Sequence, residues 1–130
     1  MADTLKIQSN EQGGVTIFHL SGMLNANTEV QFVDAARRLK DSGVRYLLVD
    51  MAGVEMITSA GLRALHDALF LFTPRAEIDE YQKANPGDLY KSAYFKLAAA
   101  TANVYSILNV AGFLHNIPIY PDLKQALDSF

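Results

Sequence analysis

The chain has 130 residues, half of them hydrophobic and 19% charged, with a net charge of −3, which is the composition of an ordinary folded domain and not of a disordered chain. A mildly acidic chain without a Lys/Arg cluster lacks the attraction to phosphates on which nucleic-acid binding rests, and the same holds for anionic membrane surfaces. With no cysteine there is no disulfide framework, thiol nucleophile or thiolate metal site, and cytoplasm is the expected compartment. The opening Met1-Ala2-Asp3-Thr4-Leu5-Lys6 turns polar at once, unlike a signal peptide. The greasiest stretch, residues 64–72, is interrupted by His66 and Asp67 and falls far short of the ~20 residues that a membrane span needs. No span is expected.

In chain order, Leu5-Lys6-Ile7-Gln8 and Val15-Thr16-Ile17-Phe18-His19-Leu20 alternate with the period of a strand, and Gly13-Gly14 between them signals a hairpin turn. Residues 28–42 place Val30, Val33, Ala36/Arg37 and Leu39/Lys40 at helical spacing, with Asn27 or Thr28 as N-cap and Gly43 as the stop. Residues 44–49 form a branched apolar run ending at Asp50, which suits a strand covered on both faces. A loop is expected over 51–58, and then a second helix from Ser59 with Leu62, Leu65, Leu69 and Phe72 on one stripe. Thr73-Pro74 ends or bends it.

Residues 73–94 are polar, with a turn at Asn85-Pro86-Gly87-Asp88 and tyrosines at 81, 90 and 94. This insert offers partner contacts through its tyrosines, or else extends the second helix as surface decoration. Phe95-Lys96-Leu97-Ala98-Ala99-Ala100 fits a strand or a helix. Thr101 or Asn103 can cap a helix carrying Val104, Ile107, Leu108 and Ala111, with Gly112 to end it. Ile117-Pro118-Ile119-Tyr120 reads as an edge strand, and 121–127 as a last helix with Leu123, Ala126 and Leu127 inward. The order β-β-α-β-α-β-α-β-α predicts an α/β fold: one domain over 1–130, a mixed sheet with helices packed against it, and the insert at about 73–94.

Catalytic and metal chemistry find little support. His19, His66 and His115 sit in separate elements without His-x-x-x-His spacing. Ile57-Thr58-Ser59-Ala60-Gly61 lacks the first glycine of a nucleophile elbow, and Gly13-Gly14 leads into a strand rather than a phosphate-binding helix. No cofactor, metal or enzymatic activity is expected; a nucleotide-binding or hydrolytic domain is the weakest reading.

The segment Leu48-Val49-Asp50-Met51-Ala52-Gly53-Val54-Glu55-Met56-Ile57-Thr58-Ser59-Ala60-Gly61-Leu62 resembles the signature of STAS domains, as found in bacterial anti-sigma-factor antagonists. Ser21-Gly22-Met23-Leu24-Asn25 resembles that family's Gly-x-Leu-Asp, and residues 104–119 resemble its late helix, Gly-Leu/Phe turn and final strand. The pattern departs at Asn25, Thr58 and Ala60, where many members have an aspartate, an aspartate and a second hydroxyl. The resemblance implies a partner-switch protein of bacterial signalling. Unphosphorylated, it would bind an anti-sigma factor that is a serine kinase of the histidine-kinase-like ATPase fold; phosphorylation of Ser59 would release it, and a serine phosphatase and a homodimer fit the same scheme. The partner surface would comprise Asn25, Asn27, Thr58, Ser59, Ala60, Gly61, Leu62 and Arg63. The alternative is a STAS scaffold or regulatory subunit of a lipid-transport or stressosome-like assembly, without phospho-switching.

On the bare residues, Ser59 or Thr58 is simply an N-cap. A phosphate there would meet unpaired backbone N–H groups and the positive end of the helix dipole. Gly61 is a costly choice in a first helical turn, which suggests close approach of a partner or of the neighbouring chain. Arg63 stands ready for a phosphate or a partner carboxylate, or is a solvated charge.

Overall fold

A computed structural model describes residues 4–112 and 115–130. Among the described residues five strands and five helices run in the order β1 (Leu5–Gln12), β2 (Val15–Leu24), α1 (Glu29–Asp41), β3 (Leu47–Ile57), α2 (Ser59–Phe72), α3 (Arg75–Ala84), β4 (Phe95–Ala98), α4 (Ala102–Val110), β5 (Ile119–Tyr120) and α5 (Leu123–Asp128). The strands form one sheet in the spatial order β1-β2-β3-β4-β5. β1 is antiparallel to β2, and every later neighbour is parallel, as helical crossovers require. The β1–β2 hairpin closes on Gly13 and Gly14, whose φ of +60° and +83° match the two-residue turn that favours glycine.

Alternation along the strands divides the interior between the two faces of the sheet. On one face Phe18, Leu20, Leu47, Val49, Met51, Phe95 and Leu97 pack against helix residues that include Phe32, Leu65, Leu69 and Leu108. Burying each such side chain contributes about 1.5–3 kcal/mol. On the other face Val15, Ile17, Leu48 and Ala98 meet Ala126 of α5. The predicted stripe of α2 is buried throughout, from Leu62 to Phe72.

Several expectations change. β3 continues seven residues past Asp50, through the segment expected to be a loop, because residues 53–57 pair with the carboxyl half of β2 across two register shifts. Val54 and Ile57 are buried on that extension. The core face of α1 is centred on Phe32 and Ala36, while Val30 is 64% exposed. The ring of Phe32 packs edge-on against Phe18 at 6.3 Å, and that large aromatic contact sets the helix phase. Phe95–Ala98 is a strand because it pairs with Leu47–Asp50 of β3; tertiary pairing overrides the helical leaning of alanine.

The insert at 73–94 holds a helix of its own, α3, separate from α2. Thr73 closes α2, its N–H donating to the Leu69 carbonyl at 2.8 Å, and Pro74 precedes α3. Both ends of the insert meet in the interior, where the Thr73 and Ser92 hydroxyls lie 2.6 Å apart. Tyr90 and Tyr94 both donate to the Glu77 carboxylate, Tyr94 at 2.8 Å. Two of the three tyrosines therefore tie the last residues of the insert back to its own helix α3, and Tyr81 stands edge-on to Tyr90. Among the described residues no helix is long and apolar enough to cross a membrane.

Candidate functional site around Ser59

β3 ends at Ile57, and Thr58 carries the chain into α2 in an extended conformation (φ −112°, ψ 180°). Its N–H donates to the Leu24 carbonyl at 3.1 Å, and its carbonyl accepts the Leu62 N–H at 2.8 Å, opening the helix. The Thr58 hydroxyl does not cap that helix. It is buried and finds no hydrogen-bond partner among the described residues. The first turn of α2 carries no acidic residue either, so neither a side-chain cap nor a carboxylate of its own offsets the positive end of this helix.

Ser59 follows as the first helical residue, and its side chain is exposed. Ala60, Gly61 and Leu62 turn into the domain and are buried. A Cβ on Gly61 would collide with the Leu24 carbonyl and would stand 2.8 Å from Ile57 Cγ1. The close approach made possible by this glycine is to the chain's own β2. Arg63 returns to the surface.

The turn between β2 and α1 forms the other wall. The Asn25 N–H donates to the Thr28 hydroxyl at 3.0 Å, and that hydroxyl donates back to the Met23 carbonyl at 2.8 Å. The Asn27 N–H donates to Asn25 Oδ1 at 3.0 Å. Asn25, 7% exposed, thus shapes the turn from within, while Asn27 is exposed. Arg63 Nη2 lies 3.7 Å from Glu29 Oε1, which brings the first turn of α1 beside that of α2. Of the eight predicted partner-surface residues, Asn27, Ser59 and Arg63 are exposed, Thr58 is half-buried, and Asn25, Ala60, Gly61 and Leu62 lie inside.

This arrangement presents a hydroxyl without activating it. Among the described residues no histidine or carboxylate hydrogen-bonds the Ser59 hydroxyl. His66 lies further along α2, edge-on to Phe70 with ring centroids 4.9 Å apart. Among the described residues no three or more histidine, aspartate or glutamate side chains gather as for a metal.

Sequence reasoning missed a polar cluster on the α5 side of the sheet. His19 Nδ1 stands 2.7 Å from Asp50 Oδ2 and its Nε2 stands 2.7 Å from Asn10 Oδ1. Asp50 Oδ1 also accepts the Ala52 N–H at 3.0 Å. The cluster joins three adjacent strands through residues far apart in the chain, and no local motif announces it. Lys96 is 5% exposed and donates to the carbonyl and hydroxyl of Ser129 at 2.8 and 2.9 Å. Burial lowers its pKa, and its ammonium lies 4.4 Å from the centre of the Phe130 ring.

Comparison with known proteins places this geometry in a wider frame. The model of the STAS domain family matches residues 6–75. No curated protein matches the chain by sequence. Among solved structures, an anti-sigma factor antagonist from Mycobacterium paratuberculosis is 20% identical, with 99% of this chain and 96% of that one covered and a TM-score of 0.75. The Bacillus cell fate determinant SpoIIAA in its phosphorylated form is 11% identical, with coverage of 95% and 97% and a TM-score of 0.61. The murine anion transporter Slc26a9 is 18% identical, with 91% of this chain and 18% of that one covered and a TM-score of 0.57. At these identities the likeness is one of fold. The family match spans more than half of the sequence and includes β3, Ser59 and all of α2, so this chain belongs to the STAS domain family.

Proposed function

We propose that this chain is an anti-sigma-factor antagonist that works as a partner switch in the cytoplasm. Unphosphorylated, it docks an anti-sigma factor that is a serine kinase of the histidine-kinase-like ATPase fold, and so frees a sigma factor for transcription. Ser59 Oγ then takes the γ-phosphoryl group of ATP, ADP leaves, the hydroxyl proton passes to the kinase, and the complex separates. A serine phosphatase resets the cycle. The chain is a substrate in this scheme and performs no catalysis itself.

One observation carries the reading: Ser59 is exposed as the first residue of a helix whose start is not capped by a side chain and whose first turn holds no acid of its own. A phosphate there is tolerated by the fold, because the helix dipole and the free N–H groups favour negative charge. The same charge of about −1.5 to −2 introduces repulsion and desolvation cost within a docked interface. A loss of ~3 kcal/mol weakens binding roughly a hundredfold. Asn27, Ser59 and Arg63 would touch the partner directly, while Asn25, Thr58, Ala60, Gly61 and Leu62 shape the surface from below.

The test is to incubate the chain with ATP and the serine kinases of this fold from its source organism, expressed one at a time, and to map the modified residue. We expect phosphate on Ser59 and loss of the complex. Label on another serine, or none with any kinase, overturns the reading. The fold likeness to the Slc26a9 transporter favours a second reading, in which the chain is a scaffold or regulatory subunit of a transport or stressosome-like assembly. Under it, Ser59→Ala leaves the ATP response of partner binding unchanged.

A further inference from the structure

Arg63 occupies a position from which it can serve either of two anions. It lies one helical turn after Ser59, and residues four apart on a helix have Cβ atoms about 5–6 Å from each other. Long helical side chains lean towards the N-terminus, which carries Arg63 back over the turn that bears Ser59. Its present partner is Glu29, at 3.7 Å. That separation is too long for a hydrogen bond, and the Arg63 side chain is 64% exposed, so the pair is loosely held. The Glu29 side chain is more enclosed, at 26% exposure, and makes no other ion pair among the described residues.

A phosphate on Ser59 would compete for the same guanidinium with more charge and a geometry suited to its planar fork. We propose that Arg63 is an internal relay: on phosphorylation it leaves Glu29 for the Ser59 phosphate and exposes an unneutralised carboxylate at the start of α1. One modification then changes the charge of both walls of the surface. The phosphate is fastened to α2, and negative charge appears beside Asn27 and Val30, two exposed residues of the opposite wall. This inference rests on phosphorylation at Ser59 and specifies how the charge is distributed afterwards.

The experiment installs phosphoserine at position 59 during translation, so that it needs no kinase, and follows the phosphate by phosphorus NMR across its second ionisation. The apparent pKa of the phosphate is expected to lie about half a unit lower in the otherwise unchanged chain than in R63Q, because the cation favours the dianion. In E29Q, where the competing carboxylate is gone, it is expected to fall further. Identical titrations of the unchanged chain and R63Q overturn the proposal, and identical titrations of the unchanged chain and E29Q overturn the exchange. Thermal unfolding of each variant confirms that it is folded. Whether a kinase modifies Ser59 is decided separately by labelling with ATP, so either idea can fail alone.

Discussion

Gly61, in the first turn of α2, lies directly against the backbone carbonyl of Leu24, the last residue of β2. The same carbonyl accepts the Thr58 N–H, so the helix start is joined to the sheet by a hydrogen bond and by a contact that leaves no space for a side chain. That union gives Ser59 a rigid base.

Gly61→Ala tests it. Alanine is the better helix former by about 1 kcal/mol, and on propensity alone the variant should be more stable. The added methyl meets backbone and the Ile57 side chain, and overpacking of this kind costs about 1–3 kcal/mol, occasionally more. We expect net destabilisation, seen as a lower urea midpoint; an unchanged or higher midpoint would mean that the contact is easily relieved.

Ser59 itself should be nearly irrelevant to folding. Its side chain is exposed, so Ser59→Ala is expected to shift stability by less than about 0.5 kcal/mol. Ser59→Asp places a negative charge at the helix start, where about 0.3–1 kcal/mol of stabilisation is typical. Urea unfolding at low salt measures both, and a strongly destabilised aspartate variant would contradict the electrostatic account.

The insert gives a pH-dependent signal. Burial, then the hydrogen bond to Glu77, raises the Tyr90 pKa; the hydrogen bond to Glu77, then burial, raises that of Tyr94. A phenol whose folded pKa lies above its unfolded value of about 10 adds stability that is complete below that pH and is lost as pH rises through the folded pKa. Absorbance titration should therefore show two of the six tyrosines ionising late. In Glu77→Gln the lag of Tyr94 should shrink, while Tyr90 keeps the part that burial imposes.

Ser92 fastens the other end of the insert. Its hydroxyl lies 2.6 Å from that of Thr73 and accepts the N–H groups of Tyr94 and Phe95, each at 3.1 Å. Ser92→Ala leaves these buried groups short of a partner, and a cost of about 1–3 kcal/mol is expected. Hydrogen exchange should quicken at Tyr94 and Phe95 in particular. Thr73→Val, which spares those two amides, should cost less.

Much of this protein was legible in its sequence. Period-two alternation marks β1 and β2, the Leu62–Leu65–Leu69–Phe72 stripe marks α2, and Gly13-Gly14 marks the hairpin, because each signal is local and follows from the geometry of one element. The motif around Ser59 was equally readable, and so was the serine's place at the start of a helix. What the tertiary structure decided involves partners distant in the chain. The length of β3 past Asp50 depends on register with β2, and the strand identity of Phe95–Ala98 depends on β3 beside it. The inward turn of Tyr90 and Tyr94 depends on Glu77, and the His19–Asp50–Asn10 cluster on three strands lying side by side. The use of Gly61 belongs to the same class: a missing side chain in the sequence does not say what occupies its space, and only folding brings the Leu24 carbonyl there.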